Sequence, residues 1–149
     1  SAGLPAEPRE DARRILWRKL ALNAAVNPLT ALLHRENGAL LDQPALGRIA
    51  LAAAREAVAV GTRHGYLPEG YDPAPRLERL LADTRGNHSS MAQDLARGRP
   101  TEADAILGPI RRLAHEVGLA TPIVDALAHL LQVAGGDPWK GEAGSIGAG

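Results

Sequence analysis

The sequence predicts an all-α fold, and three observations carry that reading. Alanine and leucine dominate the 149 residues, phenylalanine is absent and aromatic residues make up 3%; strands favour β-branched and aromatic side chains, whereas alanine and leucine lead the helix scale. Apolar residues recur at the helical period, as in Leu46, Ile49, Ala50, Ala53, Ala57 and Val60. Clusters of proline and glycine punctuate these stretches at helix-length intervals. The length suits one domain with a real core.

Residues 1–8, with two prolines and a glycine, read as a lead-in or linker, residues 9–134 as the helical unit, and residues 135–149 as a flexible Gly-rich tail. The first helix is expected from Arg9 or Asp11 to Asn27. Pro28 should kink or end it, because the residue before proline resists the α region. A short turn over Leu29–His34 and a loop through Asn37-Gly38 follow. The next helix starts near Gln43-Pro44, with proline suited to a first turn. Gly61 to Pro75, punctuated by Gly65, Pro68, Gly70 and Pro73, reads as a loop. A short helix over Arg76–Ala82 precedes a polar break, Thr84 to Ser90, and a turn over Met91–Leu95. After the break at Arg97–Pro100, Thr101 is placed as an N-cap with Glu102 and Asp104 in the first turn. That helix runs to about Val117, with a kink expected at Gly108-Pro109, and Gly118 closes it. Thr121-Pro122 opens the last helix, Ile123 to Val133.

Formal net charge is zero and the pI about 7.0, so no global field draws the chain to nucleic acid or to an anionic membrane. Cysteine is absent, which excludes disulfides, thiolate metal sites and a cysteine nucleophile. No apolar run approaches the roughly 20 residues that cross a bilayer. The opening Ser-Ala-Gly reads as a cut edge rather than a signal peptide. The five histidines are scattered, with no i,i+4 pair, so no metal site is expected.

One stripe stands out chemically. Lys19, Asn23 and Asn27 recur every four residues, and on a helix this spacing stacks them on one line, drifting only about 40° per step. Leu20, Ala21, Leu22, Ala24, Ala25 and Val26 lie between them. A cation and two carboxamides among apolar residues need partners, from the protein or from a ligand, since an unpaired buried amide costs about 1–3 kcal/mol. Lys19 is one of two lysines against fifteen arginines, and an ammonium gives and recovers a proton where a guanidinium does not. Each group also has an ordinary use: Lys19 as a solvated helix lysine, the asparagines as partners of neighbouring backbone, Glu102 as a helix-start acid and Ser89-Ser90 as an N-cap. Arg9, Arg13, Arg14 and Arg18 give the first helix a basic flank.

Taken together, these segments form two long motifs. Trp17-Arg18-Lys19-Leu20-x-x-Asn23-x-x-x-Asn27-Pro28-Leu29-Thr30 resembles the start of the C-terminal domain of the ketopantoate reductase (2-dehydropantoate 2-reductase) family. Ser89-Ser90-Met91-x-Gln93-Asp94-Leu95-x-x-Gly98-Arg99-Pro100-Thr101-Glu102-x-Asp104-x-Ile106 resembles the family's second signature. Thr121-Pro122-Ile123-Val124-Asp125-Ala126-Leu127 is similar to its closing helix. The resemblance covers about Gly3 to Val133, with both motifs in order.

It implies a multi-helix domain of the 6-phosphogluconate-dehydrogenase-like kind, acting in the cytoplasm on a small 2-keto acid. The implied activity is NADPH-dependent reduction of ketopantoate to pantoate, on the route to pantothenate and coenzyme A. By position, Lys19 matches the family's general acid and Glu102 the carboxylate that holds the substrate hydroxyl. Asn23, Asn27 and Ser90 match groups that grip the substrate, its carboxylate included. Members begin with a Rossmann domain whose Gly-rich turn carries the cofactor pyrophosphate. No βαβ unit is legible here, and the Gly cluster at 144–149 follows no strand. The chain therefore reads as the catalytic, substrate-side half, inactive without its Rossmann partner. The alternatives are a helical interaction or homodimerisation module, and a reductase of a related 2-keto acid.

Overall fold

Seven helices make up the described residues, 12–135, of the computed structural model, and no strand occurs among them. They are α1 (Ala12–Leu33), α2 (Ala39–Asp42), α3 (Pro44–Arg63), α4 (Ala74–Asp83), α5 (Ser90–Ala96), α6 (Ala103–Glu116) and α7 (Pro122–Ala134). The expected linker at 1–8 and nearly all of the tail at 135–149 lie outside the described residues. No described helix is long and apolar enough to cross a membrane.

The hub is α1, which packs against α2, α3, α5, α6 and α7. It is one helix, not two: Pro28 neither ends it nor separates the expected turn after it. Proline in a helix interior costs about 3 kcal/mol or more, because it removes one backbone bond and crowds the carbonyl four residues back. Both halves of α1 are held by the core, however, with Val26, Leu29 and Ala31 all buried. Burying a Val or Leu side chain contributes about 1.5–3 kcal/mol, so two such residues flanking Pro28 offset the break.

α3 lies against α1 through small residues. Ala50, Ala53, Ala54 and Ala57 are fully buried on one side, and Ala21, Ala24 and Ala25 are buried on the other. Side chains this short let the two helices approach closely. α3 also runs further than the glycine and proline count suggested, because Gly61 is buried inside its last turn and not in a loop. A Cβ on Gly61 would collide with the Trp17 indole. Trp17 Nε1 donates to the Ala57 carbonyl at 2.7 Å, and its ring tilts against Tyr66 with centroids 5.5 Å apart. Trp17, Ala57 and Gly61 thus latch the first half of α1 onto α3. Ile49 departs from the expected stripe, standing 39% exposed.

Other differences are local. The four-residue α2 sits in the stretch read as loop, its backbone closed by bonds from Ala39 N to Glu36 O and from Leu40 N to Asn37 O. α4 starts two residues early and ends one late. The single helix expected across Gly108-Pro109 is α6, with buried Leu107 and Ile110 on either side of the proline's position. Thr101 is not its N-cap; Glu102 occupies that position and its side chain makes no capping bond. Gly118, at φ +68°, terminates the segment after α6 as expected.

The start of α7 is held by a residue the sequence did not flag. The Glu56 carboxylate on α3 accepts from Ile123 N at 2.6 and 3.0 Å and from Val124 N at 3.1 Å. Thr121 precedes the helix but turns its hydroxyl to Asp125 instead, at 3.3 Å. Glu56 therefore caps α7 from another helix, 67 residues away in sequence. Burial pushes its carboxyl above the ordinary glutamate range; the Val124 and Ile123 N–H groups pull it back, and the Asp125 charge raises it further.

Two results follow for Glu56. Glu56→Ala leaves two helix-terminal N–H groups without an acceptor, and urea unfolding is expected to show a loss of about 1–3 kcal/mol. The raised folded value also has a sign: the fold binds the proton more tightly than the unfolded chain does. That contribution is fully present below the unfolded value and is lost as pH rises through the raised folded one. The stability of wild type relative to Glu56→Gln is thus expected to fall as pH rises above about 4, the ordinary glutamate value; a rise with pH there contradicts it.

Candidate active site

The polar stripe is real and open. Lys19 is exposed on α1, and Asn23 and Asn27 are half-buried beside it. Neither carboxamide makes a side-chain hydrogen bond to another described residue, nor does either appear among buried atoms lacking a partner. Their polar atoms therefore reach solvent. The protein supplies the apolar setting and leaves the partners of the amides to come from outside. Such an arrangement can take a small polar ligand: two amides offer both donors and acceptors, and the ammonium adds three donors and a positive charge.

The start of the second motif is brought against the C-terminal end of α1. Ser89 is the N-cap of α5, its Oγ accepting from Ala92 N at 3.0 Å, as the sequence reading allowed. The same Oγ lies 3.0 Å from the hydroxyl of Thr30 on α1. Ser90 is the first residue of α5 and is exposed, one residue after the Ser89 that meets Thr30. The segment leading to it is fixed along its length. Asn37 N donates to Asn87 O at 2.9 Å, Gly38 N to Arg85 O at 3.0 Å, and Asn37 Nδ2 to Thr84 Oγ1 at 3.0 Å.

Glu102 is placed less closely. It is exposed, at the N-cap of α6 rather than inside the first turn, and forms no ion pair with Lys19. α6 packs on α1, so both groups belong to helices in contact. Lys19, Asn23 and Asn27 thus share α1, Ser90 opens α5, which packs on α1, and Glu102 stands at the start of α6 without a bond to them.

Sequence reasoning gave no role to Thr30, Ser89 as a tertiary contact, or Asn37. Asn37 is 8% exposed and its Oδ1 has no partner among the described residues. The clue available was Asn37-Gly38, a turn signal that says nothing of burial. A cleft of about 840 Å³ lies elsewhere, between α6 and α7, lined by Arg111, Arg112, His115 and Asp125 among others. Arg111 is committed there to Asp125, at 2.9 Å.

The comparisons with known proteins decide the family. The family described as "Ketopantoate reductase PanE/ApbA C terminal" matches residues 11–134. The chain belongs to the ketopantoate reductase family. A 2-dehydropantoate 2-reductase of Archaeoglobus fulgidus is 36% identical over 131 residues, which is 88% of this chain and 44% of that protein. Among solved structures, a probable 2-dehydropantoate 2-reductase of Bacillus subtilis superposes with a TM-score of 0.77 at 35% identity, covering 83% of this chain and 41% of that one. D-mandelate dehydrogenase, solved with NADH and anilino(oxo)acetate, gives a TM-score of 0.75 at 25% identity, over 83% and 40%. The chain thus spans less than half the length of these relatives. Within ketopantoate reductases, it corresponds to the C-terminal helical domain, as the two motifs implied.

Proposed function

We propose that this chain is the substrate-side half of an NADPH-dependent reductase that converts ketopantoate to pantoate. The open stripe on α1 is the observation that carries the reading, because its amides and ammonium have no partner within the described protein. The described residues contain no strand followed by a Gly-rich turn, so they offer no cradle for a dinucleotide pyrophosphate. The cofactor is accordingly assigned to a Rossmann domain of the whole protein, a cytoplasmic enzyme with its site between the two domains.

What this chain's residues do follows from their chemistry. Reduction at the C2 carbonyl builds negative charge on its oxygen. Lys19 stabilises that charge and delivers the proton to the oxygen, as electrostatic stabiliser and general acid. Asn23, Asn27 and Ser90 orient the substrate carboxylate with neutral donors, which fix its direction without the tight hold of an ion pair. Glu102 accepts from the substrate hydroxyl when the site closes around it; apo distances in such sites are commonly long.

A second reading keeps the chemistry and changes the acid. The likeness to D-mandelate dehydrogenase, solved with NADH and anilino(oxo)acetate, favours a related 2-keto acid and the other nicotinamide cofactor. The test is a panel of turnover by the chain joined to a family Rossmann domain, with ketopantoate or an aryl 2-keto acid and NADPH or NADH. Highest kcat/KM for ketopantoate with NADPH is expected; preference for the aryl acid moves the assignment to the second reading. A homodimerisation module without catalysis is the remaining reading, drawn from exposed apolar residues such as Leu16 and Val133. Inactivity across the whole panel in a folded protein leaves that one standing.

A further inference from the structure

Thr30 is fully buried, and its hydroxyl sits where three oxygens meet. It lies 3.0 Å from the Val26 carbonyl, 3.2 Å from the Asn27 carbonyl and 3.0 Å from Ser89 Oγ. A hydroxyl has one proton, and carbonyls only accept. The Thr30 proton therefore goes to the α1 carbonyls, and Ser89 donates to Thr30 Oγ1. Ser89 Oγ accepts the Ala92 N–H at the same time. The chain of bonds has one direction: from the α5 backbone to Ser89, from Ser89 to Thr30, and from Thr30 to the backbone of the turn that bears Asn27.

This junction is where the two sequence motifs meet. Asn27-Pro28-Leu29-Thr30 closes the first and Ser89-Ser90 opens the second. Pro28 gives no N–H to α1, and the Thr30 hydroxyl adds a donor to the carbonyls immediately before it. Ser90 is one residue from Ser89, and Asn27 is one helical turn from Thr30, so neither moves without disturbing the pair.

We propose that Thr30 is a positioning residue that, through Ser89, sets the separation between Asn27 and Ser90 and so tunes the grip on the substrate carboxylate. This rests on the reading that Asn27 and Ser90 hold the substrate. Thr30 touches no substrate itself.

The test is steady-state kinetics of the two-domain protein with ketopantoate. Thr30→Val keeps the shape, removes the acceptor for the Ser89 proton and is expected to raise KM about tenfold while kcat changes by less than about threefold. Thr30→Ser restores the bond and is expected to return KM to near the wild-type value. Ser89→Gly removes the same link from the other side while keeping an acceptable N-cap, and is expected to raise KM likewise should Thr30→Val fail to fold. Wild-type KM in Thr30→Val, equal impairment in Thr30→Ser, or a fall in kcat matching the rise in KM overturns the positioning role. Ser90→Ala separates the two claims. Unchanged KM in that variant overturns the substrate-grip reading and this inference with it; raised KM there, beside an unimpaired Thr30→Val, overturns the inference alone.

Discussion

Trp17→Ala is expected to lower the unfolding free energy by about 3–5 kcal/mol, read from the urea midpoint of the chain at constant slope. Trp17 is 4% exposed and fills the space between α1, α3 and Tyr66. Removing it opens a cavity and deletes the bond to the Ala57 carbonyl. Against a total of about 5–15 kcal/mol for a domain of ordinary stability, this is the largest single loss anticipated. Gly61→Ala approaches the same contact from the other side. Its new Cβ meets the indole, which has no room to retreat, and overpacking of this kind costs about 1–3 kcal/mol. Trp17→Phe should fall between wild type and alanine. A loss below about 1 kcal/mol for Trp17→Ala, the range of ordinary surface changes, would show that the latch does not hold α1.

Lys19→Ala is expected to reduce kcat of the two-domain protein by about 10²–10⁴-fold with little change in fold stability. Lys19 is exposed and carries no hydrogen bond or ion pair with another described residue, so its removal breaks no contact that holds the helices together. Lys19→Arg distinguishes charge from proton transfer. Arginine keeps the cation but does not release a proton in this range. Recovery of stabilisation without recovery of turnover points to the general-acid role; full recovery by arginine reduces Lys19 to a charge. Urea midpoints of both variants within experimental range of wild type keep the kinetic reading separate from folding.

The outline of the fold was legible because helix signals are local. Alanine and leucine content, the Pro44 and Pro122 starts and the Gly118 stop all act within a turn or two, and all hold in the structure. Pro28 misled because a local breaker was weighed without the tertiary burial on both sides of it. Gly61 was read as punctuation, whereas its function is to admit an indole from 44 positions earlier in the chain. The stripe Lys19–Asn23–Asn27 followed from helical geometry alone. The packing of the second motif on α1 includes the Thr30–Ser89 contact, between residues 59 apart, and no spacing rule reports such a pair. Glu56 escaped for the same reason: a cap donated from a distant helix leaves no mark beside the helix it caps.

The most direct measurement is ketopantoate-dependent oxidation of NADPH by the chain alone and by the same chain joined behind a family Rossmann domain. Turnover only in the joined protein is the predicted result, with the helical half supplying Lys19 and the amide stripe and the other half the cofactor. Turnover by the chain alone, or none in a joined protein that is folded and binds NADPH, would contradict the account.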